Sequence, residues 1–153
     1  VGKVKLKAIK LVETTYEAMM KGIEKIKPGN TFGDIGNAIQ VYAEKKNYSV
    51  VRDFCGHGLG KVFHDHPSVL HFGKPGEGEL LQEGMFFTVE PMINIGDYKV
   101  KVLSDGWTAV TSDKSLSAQF EHTVGVTKTG YEIFTLSKKN FTFPPYKKND
   151  SKI

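Results

Sequence analysis

The apolar residues of this chain change their spacing once. In the first part they recur at gaps of three and four residues, the period of one helical face: Ile9, Val12, Tyr16, Met19, Ile23 and Ile26. A second helical pattern runs to about Asn47, with Ile35, Ala38, Ile39 and Tyr42. From Tyr48 onward short β-type runs separated by turns replace it. This order predicts an α+β protein, with helices on one face of an antiparallel sheet.

Local signals set the boundaries of these elements. The segment 27–30, which contains Pro28 and Gly29, ends the first helix. Thr31 is a good N-cap, and Asp34 stands where a capping box requires an acceptor. Strands are predicted at residues 48–52, 85–92, 107–111, 118–126 and 131–136, with a hairpin turn at 127–130. Residues 140–153 are predicted to form an extended or flexible tail.

Length and composition restrict the protein class. The chain has 153 residues, 39% of them hydrophobic, which is enough for one domain with one core. The longest apolar runs are too short to span a bilayer, and no signal-peptide pattern opens the chain. The single cysteine, Cys55, cannot form an internal disulfide, so a reducing cytoplasm is expected. The net charge is +4, and the excess lysines lie at the two ends of the chain. Solvated surface is the favoured interpretation of these lysines, and binding of a polyanion such as ribosomal RNA is the alternative.

Histidines and glycines are concentrated between residues 55 and 67. Three glycines surround His57, which would remove side-chain bulk and allow unusual backbone angles. His64 and His66 follow within ten residues of it. Such histidines can bind a divalent metal or transfer protons near neutral pH. The alternative, loop histidines that only stabilise turns, is equally consistent with these residues alone.

Two carboxylates occur in runs that are otherwise apolar. Glu90 follows Phe86-Phe87-Thr88-Val89, and Glu121 precedes His122-Thr123-Val124. An ionised carboxylate in such a place is costly unless it is paired or bound to metal, or lies at an edge. With His57 they make a set of one nitrogen and several oxygens. That set suits Mn(II), Fe(II), Co(II) or Zn(II) better than a structural zinc site.

Two aromatic residues lie near these motifs. Phe63 precedes His64, and Trp107, the only tryptophan, lies in Ser104-Asp105-Gly106-Trp107-Thr108. Core packing is the more common role for such residues, and a shallow apolar pocket beside a metal is the alternative. Cys55 is expected to be buried or part of a pocket wall. Walker and dinucleotide-binding glycine loops, nucleophile elbows and His-Glu-x-x-His helices do not occur in the sequence.

In combination, these motifs resemble those of type I methionine aminopeptidases, which are M24-like peptidases. The matching segments are residues 55–60 with 63–67, 89–92, 105–108 and 115–123, in the order of that family. The likeness extends from Val1 to about Leu136. It implies the pita-bread fold, mainly its second half, with a curved antiparallel sheet and helices on one face. Prolidases share the Gly-His-x-Gly element, but the later motifs are more similar to the methionine enzymes.

The resemblance assigns metal ligands. It implies that His57 and Glu90 bind one ion of a two-metal site, and that Glu121 bridges both ions. Glu90 would also handle the proton of the attacking water. The metals expected are Co, Mn, Fe or Zn, with two ions in the parent enzyme. The family's two other ligands are aspartates upstream of Val1, so at most one ion is expected on this chain.

The resemblance also assigns substrate contacts. His64 would contact the scissile amide and help stabilise the tetrahedral intermediate, which makes it a catalytic and a substrate-binding residue. Phe63 and Trp107 would help to form the wall of the methionine pocket. His66 stands where relatives usually have an acidic residue, and it receives no role. The implied reaction is removal of the amino-terminal methionine from newly made proteins.

Further expectations concern the whole protein. Residues 1–153 would form a single catalytic domain lacking its amino-terminal half, inactive by itself. The parent would be a cytoplasmic monomer acting on nascent amino-termini near the ribosome, without membrane association or specific nucleic-acid binding. Two alternatives remain: a pita-bread binding protein without catalysis, and a prolidase-like X-Pro peptidase.

Overall fold

The computed structural model describes residues 2–139, 141, 143 and 144. Most of the predicted tail at 140–153 lies outside them. Two α-helices open the fold, α1 at Leu6–Ile23 and α2 at Phe32–Lys45. In this described part, neither helix has the length and the hydropathy that crossing a bilayer requires. Helices α1 and α2 confirm the two helices predicted from the sequence.

The face that α1 buries differs in part from the predicted one. Met19, Ile23 and the following Ile26 are buried as expected, but Ile9 is 37% exposed. The buried stripe of α1 also contains Leu11 and four small or polar residues: Thr14, Thr15, Ala18 and Gly22. Hydrophobic periodicity misses such residues. Thr15 is tolerated because its hydroxyl donates a hydrogen bond to the carbonyl of Leu11 at 2.8 Å.

Helix α2 begins as the sequence predicts. The Asp34 carboxylate accepts hydrogen bonds from the Thr31 amide at 2.7 Å and from its hydroxyl at 3.0 Å. These bonds keep the pKa of Asp34 below its usual value, chiefly through the Thr31 amide. The helix packs closely on α1 because Gly22 has no side chain: a Cβ there would lie 2.6 Å from Ile39 Cδ1. Ile35 and Ile39 are fully buried in this contact region.

Short strands make up the rest of the fold. They are β1 Ser49–Val50, β2 Gly56–Gly58, β3 Asp65–Val69, β4 Phe86–Val89, β5 Met92–Asn94, β6 Val100–Val102, β7 Ala109–Thr111, β8 Ser117–Gln119, β9 His122–Val126 and β10 Tyr131–Ile133. They form sheets of order β1-β5-β8, β10-β9-β4-β2-β3 and β6-β7. Every pairing among the named strands is antiparallel. The predicted α+β class and the turn between β9 and β10 are confirmed.

Two of the predicted strands are interrupted at an acidic residue. The strand predicted at 85–92 ends as β4 before Glu90, and only its last residue, Met92, belongs to the next strand, β5. Residues 118–126 divide into β8 and β9 around Glu121. The register is the same on both sides of the interruption, since Val89 faces His122 and Met92 faces Gln119. Glu90 and Glu121 therefore occupy facing positions where the five-stranded sheet gives way to the three-stranded one.

The core lies between the helices and both larger sheets, since one buried cluster joins helix residues to Val50 and Ile93 of the three-stranded sheet and to residues of the five-stranded sheet. Phe87, Val89 and Val124 are fully buried and belong to one cluster with Met19 and Ile35. Three strands were missed by the sequence analysis, β2, β3 and β6. The first two consist largely of glycine, histidine, proline and polar residues, so they lack the apolar alternation that indicates a strand.

Candidate metal centre

Three predicted ligands come together in the structure. His57 lies on β2, Glu90 directly follows β4, and Glu121 directly precedes β9. Each offers one ligand atom, and all three atoms lie within 4.8 Å of one another. His57 Nε2 is 3.6 Å from Glu90 Oε1, and these two side chains are only 13% and 16% exposed. The grouping follows from topology, because β9, β4 and β2 are neighbours in one sheet.

The electrostatics of the group suit a cation. Burial is the main reason why the pKa of Glu90 is raised, and the nearby charge of Glu121 raises it further. The Thr88 hydrogen bond and the nearby His57 act in the opposite direction. Two carboxylates facing each other repel when both are ionised, and a divalent cation between them would remove that cost. One imidazole nitrogen and carboxylate oxygens are also suitable donors for Mn(II), Fe(II), Co(II) or Zn(II).

Thr88, which has no charge to mark it in the sequence, connects two of the candidate ligands. Its hydroxyl donates to Glu90 Oε1 at 2.7 Å and accepts a hydrogen bond from the His57 amide at 3.0 Å. Gln119 holds Glu90 from the other side, with Nε2 3.2 Å from its carbonyl oxygen and 3.3 Å from Oε2. The signal for Thr88 was available: residues two apart on a strand share a face, and Thr88 precedes Glu90 by two.

His71 was also missed. It follows β3, is 2% exposed, and accepts a hydrogen bond from the Glu90 amide through Nε2 at 3.0 Å. Burial lowers the pKa of His71 to about 3, so the imidazole is neutral, and Nδ1 carries its proton because Nε2 is the acceptor. Its sequence context, Leu70-His71-Phe72, contains no feature that separates it from an ordinary core position.

His64 and Phe63 lie beside the proposed ligands. The His64 ring is centred 4.5 Å from that of His57, and the Phe63 ring 5.5 Å from it. A cavity of about 550 Å³ opens there, lined by Phe54, Cys55, His57, His64, Asp65, His66, Ser68, Glu90 and Met92. Cys55 is thus part of a cavity wall, as expected. Phe63 is 75% exposed, so the expectation of core packing is wrong for this residue.

Trp107 lies in the turn of the β6-β7 hairpin. Its side chain is 90% exposed, so core packing is also wrong here. Asp105 shapes the turn by accepting hydrogen bonds from the amides of Trp107 at 3.0 Å and Thr108 at 2.9 Å. Among the described residues, Trp107 does not line the cavity at the three ligands. Its contact with substrate stays a prediction.

The glycines around His57 have a steric role. A Cβ on Gly56 or Gly58 would overlap the carbonyl oxygen of Thr88 or His66, respectively. The missing side chains therefore let the neighbouring strands pack closely on β2. The expectation of unusual backbone angles is wrong here, because the glycines with positive φ lie elsewhere, for example Gly73 and Gly84. His66 forms an exposed pair with Glu79, their nearest atoms 3.0 Å apart.

Comparison with known proteins identifies the family. A sequence profile of metallopeptidase family M24 matches residues 1–128 of the 153. The chain belongs to metallopeptidase family M24. Methionine aminopeptidase from Rickettsia prowazekii is 65% identical to this M24 chain over 148 residues, which is 95% of this chain and 57% of the relative.

Solved structures give the same answer for the fold. The crystal structure of the Rickettsia prowazekii methionine aminopeptidase matches with a TM-score of 0.87, over 89% of this M24 chain and 55% of that one. Prolidase from Pyrococcus furiosus matches with a TM-score of 0.67 at 24% identity, which is evidence for the fold alone. The predicted pita-bread fold is thereby confirmed.

The relatives are longer than this M24 chain. It spans about half the length of the curated relatives that it matches, from 50% to 57% of those most similar to it. Membership of family M24 implies the use of a divalent metal. The described residues supply one candidate group for it, the three ligands above.

Proposed function

We propose that this chain is part of a metal-dependent methionyl aminopeptidase, a hydrolase that removes the amino-terminal methionine from newly made proteins. The observation that carries the proposal is the convergence of His57, Glu90 and Glu121, whose ligand atoms lie within 4.8 Å of one another. The names of the most similar relatives support the substrate class, since each is called a methionine aminopeptidase. Residues 1–153 would form a single catalytic domain that lacks its amino-terminal half.

In this proposal His57, Glu90 and Glu121 would together hold the divalent metal. A bound divalent metal supplies a Lewis acid and lowers the pKa of a water molecule. Glu90 is suited to receive the proton of that water, because the Thr88 hydroxyl holds its carboxylate at 2.7 Å. His64 would donate a hydrogen bond to the scissile amide from its position beside His57. Phe63 and Trp107 would line the methionine pocket.

The cofactors and partners follow from the same proposal. The parent enzyme would use two ions of Co, Mn, Fe or Zn, and this chain would hold at most one because it offers three ligands. The substrates would be nascent amino-termini in the cytoplasm, near the ribosome. The full-length protein would be a monomer without membrane association or specific nucleic-acid binding.

Two alternatives use the same fold. A binding protein that has lost metal chemistry is disfavoured, because all three ligand residues are present and grouped. A prolidase-like enzyme is disfavoured by identity, which is 24% with the Pyrococcus furiosus prolidase and 65% with the Rickettsia prowazekii aminopeptidase. Hydrolysis of Met-Ala-Ser compared with an X-Pro dipeptide by the full-length protein would separate these activities.

Metal binding tests the site in this chain directly. We expect the 153-residue chain to bind about one equivalent of Co(II) in a calorimetric titration. His57→Ala should weaken the affinity at least tenfold, roughly as for loss of a ligand. His66→Ala is the matched control, because His66 lines the same cavity but is not in the ligand group. Absence of binding by the wild-type chain, or equal binding by both variants, would contradict the proposed site.

A further inference from the structure

We propose that His71 is a positioning residue that sets the direction in which Glu90 faces the metal centre. This inference rests on the proposed function, because it concerns a ligand of the proposed ion. His71 is outside the ligand group, and it acts on Glu90 through the main chain. His71 would therefore hold the main chain of Glu90 in place from the buried side, while the Glu90 side chain lines the cavity.

The hydrogen bonds along β4 show why an imidazole is needed here. Toward β2, the strand first has a main-chain pairing at Phe87 with Gly58. At Thr88 the contact to β2 runs through a hydroxyl, which accepts the His57 amide at 3.0 Å. At Glu90 the acceptor is His71 Nε2, at 3.0 Å from the amide nitrogen. On the side of β4 that faces β2, side-chain acceptors thus replace main-chain acceptors as the strand approaches Glu90.

This bond fixes the peptide plane from which the Glu90 side chain departs. Pro91 follows and has no N–H, so the Glu90 amide is the only main-chain donor at this interruption of the strand. Thr88 and Gln119 already hold the carboxylate, at 2.7 Å and 3.3 Å. With His71 on the amide, Glu90 is held at both its main chain and its carboxylate. Without it, the peptide could rotate and carry the carboxylate away from His57.

The burial of His71 supports a polar role. The residue is 2% exposed. A leucine or a methionine would fill the same space without the cost of removing a ring nitrogen from water. A buried amide without a partner costs about 1–3 kcal/mol, so an acceptor at this point stabilises the local backbone. A purely structural histidine would do the same. The distinguishing consequence is therefore the geometry of the ligand, which metal affinity and ligand-field spectra report.

Two substitutions of similar size separate these roles. His71→Gln keeps a side-chain acceptor near the position of Nε2, whereas His71→Met fills the space without one. Both variants of the 153-residue chain would be titrated with Co(II), by calorimetry and by visible absorption of the bound ion, after urea denaturation has shown that they fold. If His71→Met does not fold, His71→Asn replaces it, because its shorter amide does not reach Nε2.

We expect His71→Met to weaken Co(II) affinity about tenfold or more and to change the visible bands, with His71→Gln close to wild type. Amide NMR adds a direct check, a scalar coupling across the bond from Glu90 N to His71 Nε2. Equal affinities and spectra in all three proteins, or equal losses in both variants, would overturn the positioning role. Failure of the wild-type chain to bind Co(II), or unchanged binding by His57→Ala, would instead overturn the metal site and this inference with it.

Discussion

Thr88 is hydrogen-bonded to two residues of the candidate ligand group without belonging to that group. It is 2% exposed, and its hydroxyl joins the His57 amide to Glu90 Oε1. Thr88→Val keeps the volume and removes the hydroxyl. We expect about 1–3 kcal/mol lower stability, because the His57 amide loses its acceptor. We also expect weaker Co(II) binding, because Glu90 loses a donor that orients it.

Urea denaturation and Co(II) titration would measure the two effects of Thr88→Val. Thr111→Val is the matched control, because Thr111 is also buried and its hydroxyl donates to the Ser115 carbonyl at 2.7 Å, on the separate β7 strand. That control should lose stability and keep its Co(II) affinity. A Thr88→Val chain that binds Co(II) as tightly as the wild type would show that the hydroxyl does not orient Glu90.

The sequence singles out the residues of the candidate ligand group more readily than the residues that hydrogen-bond to them. Glu90 and Glu121 stood out because an ionised group in an apolar strand needs a compensating partner. His57 stood out through its glycines. Thr88 has a weaker signal, its position two residues before Glu90 on the same strand face, and His71 has none, since a histidine in a core is ordinary. Their importance depends on which amide or carboxylate they reach, and that is a property of the folded chain.

At the scale of elements, the capping box of α2 is the clearest local prediction. Asp34 accepts two hydrogen bonds from Thr31 and one from the Gly76 amide at 3.2 Å. Asp34→Asn removes the charge next to the helix N-terminus. We expect the free energy of unfolding at pH 7 to fall by about 0.5–1 kcal/mol, and urea denaturation would measure it.

The pH dependence of this difference has a defined sign. The pKa of Asp34 lies below its usual value of 3.8, chiefly because the Thr31 amide stabilises the ionised form. The stabilisation is therefore present above pH of about 4 and is lost as the pH falls through the lower folded-state pKa. The gap between wild type and Asp34→Asn should close in acid. Asp53→Asn, at an exposed position, is the control. A gap that stays constant down to pH of about 2 would contradict the charged cap.

Element boundaries were harder to predict where the candidate ligands interrupt the strands. The two long predicted strands break at Glu90 and Glu121, the residues that leave the ladder to face each other. Nothing in their alternation marks the break except Pro91. The face of α1 was partly wrong because Thr15 and Gly22 are buried for reasons of hydrogen bonding and close packing. Tertiary contacts, rather than local propensity, decide these features.

At the scale of the whole molecule, the described chain has apolar surface and sheet edges in contact with solvent. The exposed large side chains include Leu6 at 65%, Phe63 at 75% and Trp107 at 90%. Strands β3 and β10 lie at the edges of the five-stranded sheet. Such surfaces favour association with another chain or segment.

Peptidase activity should be absent from the 153-residue chain. Its three grouped ligands are proposed to hold at most one ion, whereas the reaction proposed for the parent uses two. We expect no methionine release from Met-Ala-Ser above the protein-free rate at saturating Co(II), with liquid chromatography as the assay.

The Rickettsia prowazekii relative supplies matched controls, because this chain covers 57% of its length. The complete relative should release methionine, and the same relative cut to its matching region should not. Both short chains could be inactive while Co(II) binding by the 153-residue chain still depends on His57. That result would show that peptidase activity needs the part of the relative outside the matching region, and that the site in the short chain is intact. Methionine release by the 153-residue chain would show that three ligands suffice, and the two-ion proposal would then be wrong.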